Sequence, residues 1–137
     1  MPGRLRVDPA FSKTTAFPAA GASNQSASFD LGAHGNAATG IFTEGIEAQI
    51  SWPTLAALAD TKNVLFTLQD SADNASFASV NPLITKTITG AGGIGVAAGA
   101  VKFRIPAGVR QFMRVQATED AAGGVITASS YTFSLLF

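Results

Sequence analysis

Apolar and polar residues alternate along most of the chain from Ser26 onward. In the stretch 43–52, Ile46 and Ile50 fall on one face of an extended chain and Gln49 falls on the other. A period of two residues is typical of a β-strand with one buried face. The same pattern predicts strands over residues 26–31, 43–52, 63–69, 82–89, 101–105, 113–118 and 125–137.

The segment 53–60 interrupts this alternation. Pro53 suits the first position of a helix, and Leu55 and Leu58 recur at helical spacing. We therefore expect a short helix near residues 53–60 that connects two strands.

The spacing of the alternating segments predicts an all-β fold. About seven or eight strands, separated by turn residues every eight to twelve positions or so, are typical of an antiparallel β-sandwich or jelly roll. The regular succession of strand and helix that indicates a parallel α/β sheet is not present in the pattern. We assign residues 26–137 to one β-sandwich domain.

Residues 1–25 are predicted to form an extended N-terminal arm. Three prolines interrupt the segment, and proline disrupts both helices and sheet ladders. Phe11 and Phe17 nevertheless make the segment more apolar than a solvated linker. Two interpretations remain open: these side chains pack on their own domain, or the arm docks on a neighbouring subunit.

Composition narrows the class of partner. The 137 residues carry no net charge, and only 13% of them are charged, against roughly 25% in an average domain. A nucleic-acid-binding protein normally has a basic excess, so we expect no direct contact with nucleic acid. A weakly charged surface favours a protein that is packed against other proteins.

Cysteine content and hydropathy bound the chemistry and the location. The chain has no cysteine, which excludes disulfides and thiolate metal sites. No apolar run approaches the ~18 residues of a membrane span, and no apolar segment of the secretory type follows the N-terminal basic residues. We expect that the protein is made in the cytoplasm and that it does not associate with a membrane.

The run GAGGIG at residues 90–95 matches the glycine pattern of a dinucleotide-binding loop. That motif requires a helix that begins at its last glycine, so that backbone N–H groups meet the pyrophosphate. Here the chain continues with further glycine and then a strand. A flexible loop over 90–100 is the favoured interpretation, and no cofactor is expected.

Asp70, Asp73 and Asn74 offer oxygen atoms that could bind calcium. Their spacing does not fit an EF-hand loop, and Asp and Asn also form turns by accepting bonds from nearby backbone amides. We favour a hairpin turn between two strands over a metal site.

Catalytic alternatives rest on His34 and on two pairs of acids. A Ser-His-Asp relay would need His34, but no Gly-x-Ser-x-Gly elbow accompanies it. The pairs Glu44 with Glu47 and Glu119 with Asp120 resemble the paired carboxylates of glycoside hydrolases. Turns and solvated strand faces explain both pairs better, so no catalytic residue is assigned and no enzyme activity is expected.

Arginines are the strongest candidates for contact with a partner. Arg104 and Arg114 fall on polar strand faces and are predicted to line one face of a sheet near Arg110. Arginine binds carboxylates in bidentate fashion, although an ordinary charged surface explains the same pattern. The full set of candidate partner-contact residues is Arg4, Arg6, Phe11, Phe17, Arg104, Arg110 and Arg114.

Three stretches of the chain resemble the small β-sandwich decoration (cement) proteins of tailed-bacteriophage heads. These are residues 28–32 (SFDLG), residues 65–73 (LFTLQDSAD, followed by Phe77), and residues 112–117 (FMRVQA, before the Gly123-Gly124 turn). The resemblance implies a non-enzymatic structural protein of the virion. Such a protein lies on the outer capsid surface as a dimer or trimer and bridges subunits of the major capsid protein.

A second hypothesis is a carbohydrate-binding or host-recognition module of the same fold class. Sugar binding usually needs exposed aromatic side chains on a concave face, whereas Trp52 and Tyr131 both fall on predicted apolar faces. A hydrolase that uses His34 with an acid is the third.

Overall fold

The computed structural model describes residues 7–31, 46–106 and 108–136. Within these residues the fold is all-β, and the named strands pair in antiparallel fashion, which confirms the predicted fold class. The strands are β1 (Val7–Ala16), β2 (Ser23–Gln25), β3 (Phe29–Asp30), β4 (Glu47–Trp52), β5 (Asn63–Ser71), β6 (Ala78–Ser79), β7 (Thr85–Thr89), β8 (Gly99–Arg104), β9 (Phe112–Glu119) and β10 (Ser130–Leu136).

Two sheets form the sandwich. The four-stranded sheet has the order β1-β10-β4-β8. The six-stranded sheet has the order β2-β9-β5-β6, with β3 also paired to β9 and β7 also paired to β5. The longest ladder joins β5 to β9, from Val64 opposite Glu119 to Ser71 opposite Phe112.

Aromatic side chains from both sheets fill the space between them. The ring of Phe66 on β5 meets that of Tyr131 on β10 edge-on, with ring centroids 5.3 Å apart. Phe29 on β3 approaches Phe133 on β10 at 5.2 Å. Burial of each such side chain stabilises the fold by about 1.5–3 kcal/mol, so these pairs are a main source of adhesion between the sheets.

The predicted helix at 53–60 is wrong. Leu55 and Leu58 are buried as their spacing suggested, but a turn and bridges place them there. The N–H of Leu55 donates to Val96 O and the N–H of Ala59 donates to Gly123 O. Because these amides bond to distant segments, they are not available for a helical ladder.

The arm prediction does not hold for residues 7–25. Val7–Ala16 is strand β1, paired to β10, and Ser23–Gln25 is strand β2, paired to β9. Phe17 is 2% exposed and lies in the core, so the interpretation that these apolar residues pack on their own domain is confirmed there. Residues 1–6 lie outside the described part of the chain.

Candidate partner-binding surface

The outer face of the six-stranded sheet is polar and nearly uncharged. On β5, Val64, Phe66 and Leu68 point into the core, whereas the residues between them point outward. The same alternation holds on β9 and β7. The outward residues on these three strands include Leu65, Thr67, Gln69, Thr85, Thr87, Thr89, Arg114, Gln116 and Thr118.

Side-chain hydrogen bonds link this face across three strands. Arg114 Nε donates to Gln69 Oε1 at 2.9 Å, and Gln69 Nε2 donates to Gln116 Oε1 at 3.1 Å. Gln116 Nε2 then donates to Ser23 Oγ on β2 at 3.4 Å. Each amide is held by its neighbour, so little side-chain entropy remains to be lost when a partner binds.

Arg114 is fixed from a second side by an aromatic ring. Its guanidinium carbon lies 3.8 Å from the centroid of the Phe77 ring, a close cation–π contact. Burial lowers the pKa of Arg114, and the nearby Tyr131 opposes that shift. The group stays charged because arginine is not deprotonated in proteins, so it presents a fixed positive charge at one end of the polar face.

Arg110 is bound to its own domain. Its Nη2 lies 2.7 Å from Asp70 Oδ1, its Nε donates to the same oxygen, and its backbone N–H donates to Asp70 Oδ2. The hydrogen bond to Asp70 is the main cause of the raised pKa of Arg110. Asp70 is only 5% exposed, whereas the side chain of Arg110 is 43% exposed. The pair therefore anchors the loop before β9 to the end of β5.

The hairpin turn favoured above begins after Ser71, because Asp70 and Ser71 still belong to strand β5. It connects β5 to β6, which pair through Gln69 opposite Ser79 and Asp70 opposite Ala78. Asp73 Oδ1 accepts hydrogen bonds from the N–H groups of Ala75 at 2.9 Å and Ser76 at 2.8 Å.

These donors, with the Ser71 hydroxyl, lower the pKa of Asp73 to about 2. Asn74 Oδ1 accepts a hydrogen bond from Ser28 Oγ at 2.6 Å. Across the described ranges, no group of three or more His, Asp or Glu residues is placed to hold a metal ion.

The expectation that Arg104 and Arg114 share a sheet face is wrong. Arg104 lies on β8, at the edge of the four-stranded sheet, and Arg114 lies on β9 in the other sheet. The chain between them crosses from one sheet to the other, which period-two patterning does not reveal. Arg110 and Arg114, by contrast, both contact the end of β5 through Asp70 and Gln69.

The N-terminal candidates divide into three cases. Phe17 packs against Phe66 and Tyr131 and has no surface for a partner, so its assignment as a contact residue is corrected. Phe11 is half-buried, with its ring centroid 6.5 Å from that of Phe29. Arg4 and Arg6 lie outside the described residues.

The glycine run has a packing role. A Cβ on Gly95 would lie 1.8 Å from Leu55 O, and a Cβ on Gly90 would lie 2.3 Å from Ala59 O. Both glycines allow the loop to lie directly on the backbone of segment 55–60. Val96 then forms a bridge with Leu55 where a dinucleotide site would begin a helix.

Of the remaining catalytic candidates, Glu47, Glu119 and Asp120 lie within the described residues. His34 and Glu44 lie outside the described residues. Glu119 was expected on a turn or solvated face. It is the last residue of β9, and it is only 1% exposed. Asp120 follows it and accepts hydrogen bonds from the side chain and the backbone N–H of Asn63.

Two further aromatic residues bear on the carbohydrate hypothesis. Tyr131 is fully buried. Trp52 stacks on Phe66 at 6.0 Å, and its indole N–H donates to Ala97 O at 3.1 Å. Neither residue offers the open aromatic platform that sugar binding usually needs.

Sequence reasoning missed the linked glutamines. Gln69 and Gln116 fall within the separate predicted strands 63–69 and 113–118, 47 residues apart in sequence. Their contact depends on the register of β5 against β9. The one available signal was that both alternate with buried residues, which places them on an outer face without saying which.

Comparisons with known proteins give no family assignment. The chain matches no protein-family model and no curated protein. In the described part of the chain, no helix is long and apolar enough to cross a bilayer.

Proposed function

We propose that this protein is a structural component of a tailed-phage virion. It binds the outer surface of the capsid, bridges subunits of the major capsid protein and self-associates as a dimer or trimer. The observation that carries the proposal is the pre-ordered polar face of the six-stranded sheet, in which Arg114, Gln69, Gln116 and Ser23 are hydrogen-bonded in sequence.

A face of this kind suits attachment to a large protein shell. Glutamine amides carry both donors and acceptors, and threonine hydroxyls do the same, so the face can pair with main-chain and side-chain groups of many geometries. It lies on two long, fully paired central strands, which hold it rigid. Rigid, pre-ordered contacts raise affinity because little freedom is lost on binding.

The resemblance of residues 28–32, 65–73 and 112–117 to capsid decoration proteins gives the partner class. Residues 65–73 and 112–117 form most of β5 and β9, the strands that carry the polar face. Two of the three stretches that resemble the family therefore lie on the strands that carry the polar face.

The first test asks whether the protein belongs to a particle. Particles from a source lysate are banded on a density gradient, and the dense band is measured by quantitative mass spectrometry. We expect this chain there in a fixed ratio to one dominant shell protein. If it remains among soluble proteins at the top of the gradient, the virion role is excluded and glycan-array binding by the purified protein becomes the next measurement.

The second test asks whether the polar face is the contact. Particles that lack this protein are reloaded with purified wild type or with the double variant Gln69→Ala/Gln116→Ala. We expect about tenfold weaker loading of the variant, because two hydrogen-bonding groups worth roughly 0.5–1.5 kcal/mol each are removed. Gln49→Ala, an outward glutamine on β4 of the other sheet, is the matched control. Equal loading of all three proteins would assign the contact to another surface.

A further inference from the structure

The two sheets leave an apolar groove between their edges on one side of the sandwich. The groove runs between β8, the edge of the four-stranded sheet, and β7, at the edge of the six-stranded sheet. Its volume is about 70 Å³. Most of its lining is apolar, formed by Ile50, Phe66, Ile84, Val101 and Phe103, and Thr85 and Lys86 complete it.

This side of the sandwich is less well covered than the opposite side. Val101 and Phe103 point inward from β8, yet both remain half-buried, and so does Ile84. At the opposite side, Phe11 on β1 packs on Phe29 of β3, and Tyr131 OH donates to Asn24 of β2. The groove therefore keeps accessible apolar surface where the other side has side chains that join the two sheets.

In the described part of the chain, β8 pairs along one edge and leaves the other edge beside the groove. One side of β8 pairs with β4 over its whole length, from Gly99 opposite Trp52 to Arg104 opposite Glu47. Within the described residues, no second strand pairs with β8. A free strand edge is a template on which an extended segment can add as a further strand.

The charges around the groove indicate which kind of extended segment would bind there. Lys102 and Arg104 project from the outward face of β8, and Lys86 lines the groove from β7. The one ion pair within 4 Å in the described residues joins Arg110 to Asp70, so these three cations lack a close acidic partner there. Glu47 lies opposite Arg104 in the ladder but beyond that distance.

A second copy of this chain is a poor occupant. Antiparallel pairing of β8 with β8 of another copy would bring Lys102 and Arg104 against the same cations. Like charges on adjacent strands are destabilising, and edge lysines commonly prevent such self-pairing. The same cations attract carboxylates.

We infer that the β7–β8 groove binds an extended segment of another protein by strand addition to β8. The segment alternates apolar and acidic residues. Its apolar side chains enter the groove against Val101 and Phe103, and its carboxylates lie beside Lys102 and Arg104 on the outward face. This site is separate from the polar face of the six-stranded sheet and does not depend on the virion role.

The test uses two synthetic peptides as long as β8, with capped ends, one alternating valine with glutamate and the other alternating valine with lysine. Binding to the full chain is followed by amide chemical shifts in solution. We expect the glutamate peptide to bind at least about tenfold more tightly, because its charges complement the rim. Shift changes should be confined to β8, the neighbouring part of β4, and β7.

Variants of the protein distinguish binding at the groove from nonspecific attraction between charges. Lys102→Glu/Arg104→Glu changes two exposed side chains and should weaken the glutamate peptide by about tenfold or more while it strengthens the lysine peptide. Thr14→Glu adds a negative charge at an exposed position on β1, at the opposite edge of the same sheet, and should alter neither affinity by more than about twofold.

A fully N-methylated glutamate peptide tests strand addition itself, because it cannot donate backbone hydrogen bonds. We expect no measurable binding. The inference is overturned if the methylated peptide binds as well as its parent, if both charged peptides bind equally, or if the shift changes lie away from β8. Loss of capsid loading by the polar-face variant, with peptide binding intact, would confirm that the two sites are independent.

Discussion

Two carboxyl groups show how strongly local surroundings decide the behaviour of a residue. Asp73 is exposed, and its side chain accepts bonds from two backbone amides. Glu119 is 1% exposed, and neither of its carboxyl oxygens has a hydrogen-bond partner in the described residues. Asp73 could be interpreted from the sequence, because Asp within a short polar run commonly forms such a turn.

Glu119 could have been placed from the same pattern that placed its neighbours. Met113, Val115 and Ala117 alternate inward on β9, and one further step reaches Glu119. We assigned Glu119 to a turn or a solvated face because it is acidic, although the alternation along the strand predicts that it points inward. The Glu119 side chain fits because residue 123 is a glycine. A Cβ at that position would lie 2.5 Å from Glu119 Oε1.

We predict that Glu119→Met stabilises the protein at neutral pH. Burial, with a smaller contribution from Asp120, raises the pKa of Glu119 above its ordinary value. Its contribution to stability is therefore fully present below the pKa of the unfolded chain and is lost as pH rises through the folded-state pKa. Removing the unpartnered carboxyl should raise the free energy of unfolding by about 1–3 kcal/mol in urea titrations.

The pH dependence distinguishes this cause from better packing. The gain of Glu119→Gln over wild type should grow as pH rises above the ordinary glutamate pKa of about 4, because only wild type has a buried carboxyl to ionise. Glu47→Gln on β4 controls for the loss of one negative charge. A gain for Glu119→Gln that is constant with pH would contradict the prediction.

A second residue-scale prediction concerns Asp73. Its low pKa, about 2, means that the turn is supported by the carboxylate above the unfolded-state pKa and loses that support as pH falls through the folded value. An NMR titration of the Asp73 carboxyl should therefore give a midpoint near 2.

The same bonds should be visible in hydrogen exchange. Asp73→Ala should accelerate exchange of the Ala75 and Ser76 amides, which lose their acceptor. Amides on β9 should be unaffected, since that strand is paired along both sides. Unchanged exchange at Ala75 and Ser76 would show that the turn does not depend on this side chain.

At the scale of elements, the segment 53–62 is held between two glycine-containing loops. Its backbone bonds to Val96 O on one side and to Gly123 O on the other. Leu55 and Leu58 have the spacing of a helix, but the sequence carries no local signal that these distant carbonyls will compete for the amides. The strands were predictable because their signal, period-two burial, is local; this segment was not, because its partners are about 40 and about 65 residues away.

Gly95 provides a test of this arrangement. It has φ +72°, and a Cβ there would lie 1.8 Å from Leu55 O. We expect Gly95→Ala to lower the free energy of unfolding by more than about 4 kcal/mol or to prevent folding, because backbone must move. Gly93→Ala is the matched control, with φ +71° and open space around the added Cβ, and should cost about 1–2 kcal/mol. Equal losses would show that φ alone, and not the close approach to Leu55, determines the effect.

At the scale of the whole molecule, the sequence predicted the sandwich but not its assembly. Alternation identified most strands and the buried face of each. It could not give the order β1-β10-β4-β8, because pairing depends on contacts between strands that are distant in sequence, such as Lys13 opposite Phe133. The polar face could not be predicted for the same reason, since it exists only when β2, β9 and β5 lie side by side.

Truncation tests the placement of the N-terminal segment. Deleting residues 1–25 removes β1, β2 and the core side chain of Phe17. Phe17→Ala alone should cost about 3–5 kcal/mol, so the full deletion is expected to abolish cooperative thermal unfolding. Deleting residues 1–6 should leave cooperative unfolding in place. A folded product from the 1–25 deletion would contradict the pairing of β1 with β10.

The interior position of β10 affects how the chain can fold during its synthesis. This strand lies between β1 and β4 and supplies Tyr131 and Phe133 to the space between the sheets. Until residues 130–136 emerge from the ribosome, β1 and β4 have no partner between them, and the inner face of the six-stranded sheet lacks the cover that Tyr131 and Phe133 provide. The nascent chain must therefore keep its earlier strands apart until β10 has been synthesised, and slow elongation or early termination before β10 should yield aggregates in place of a partly folded domain.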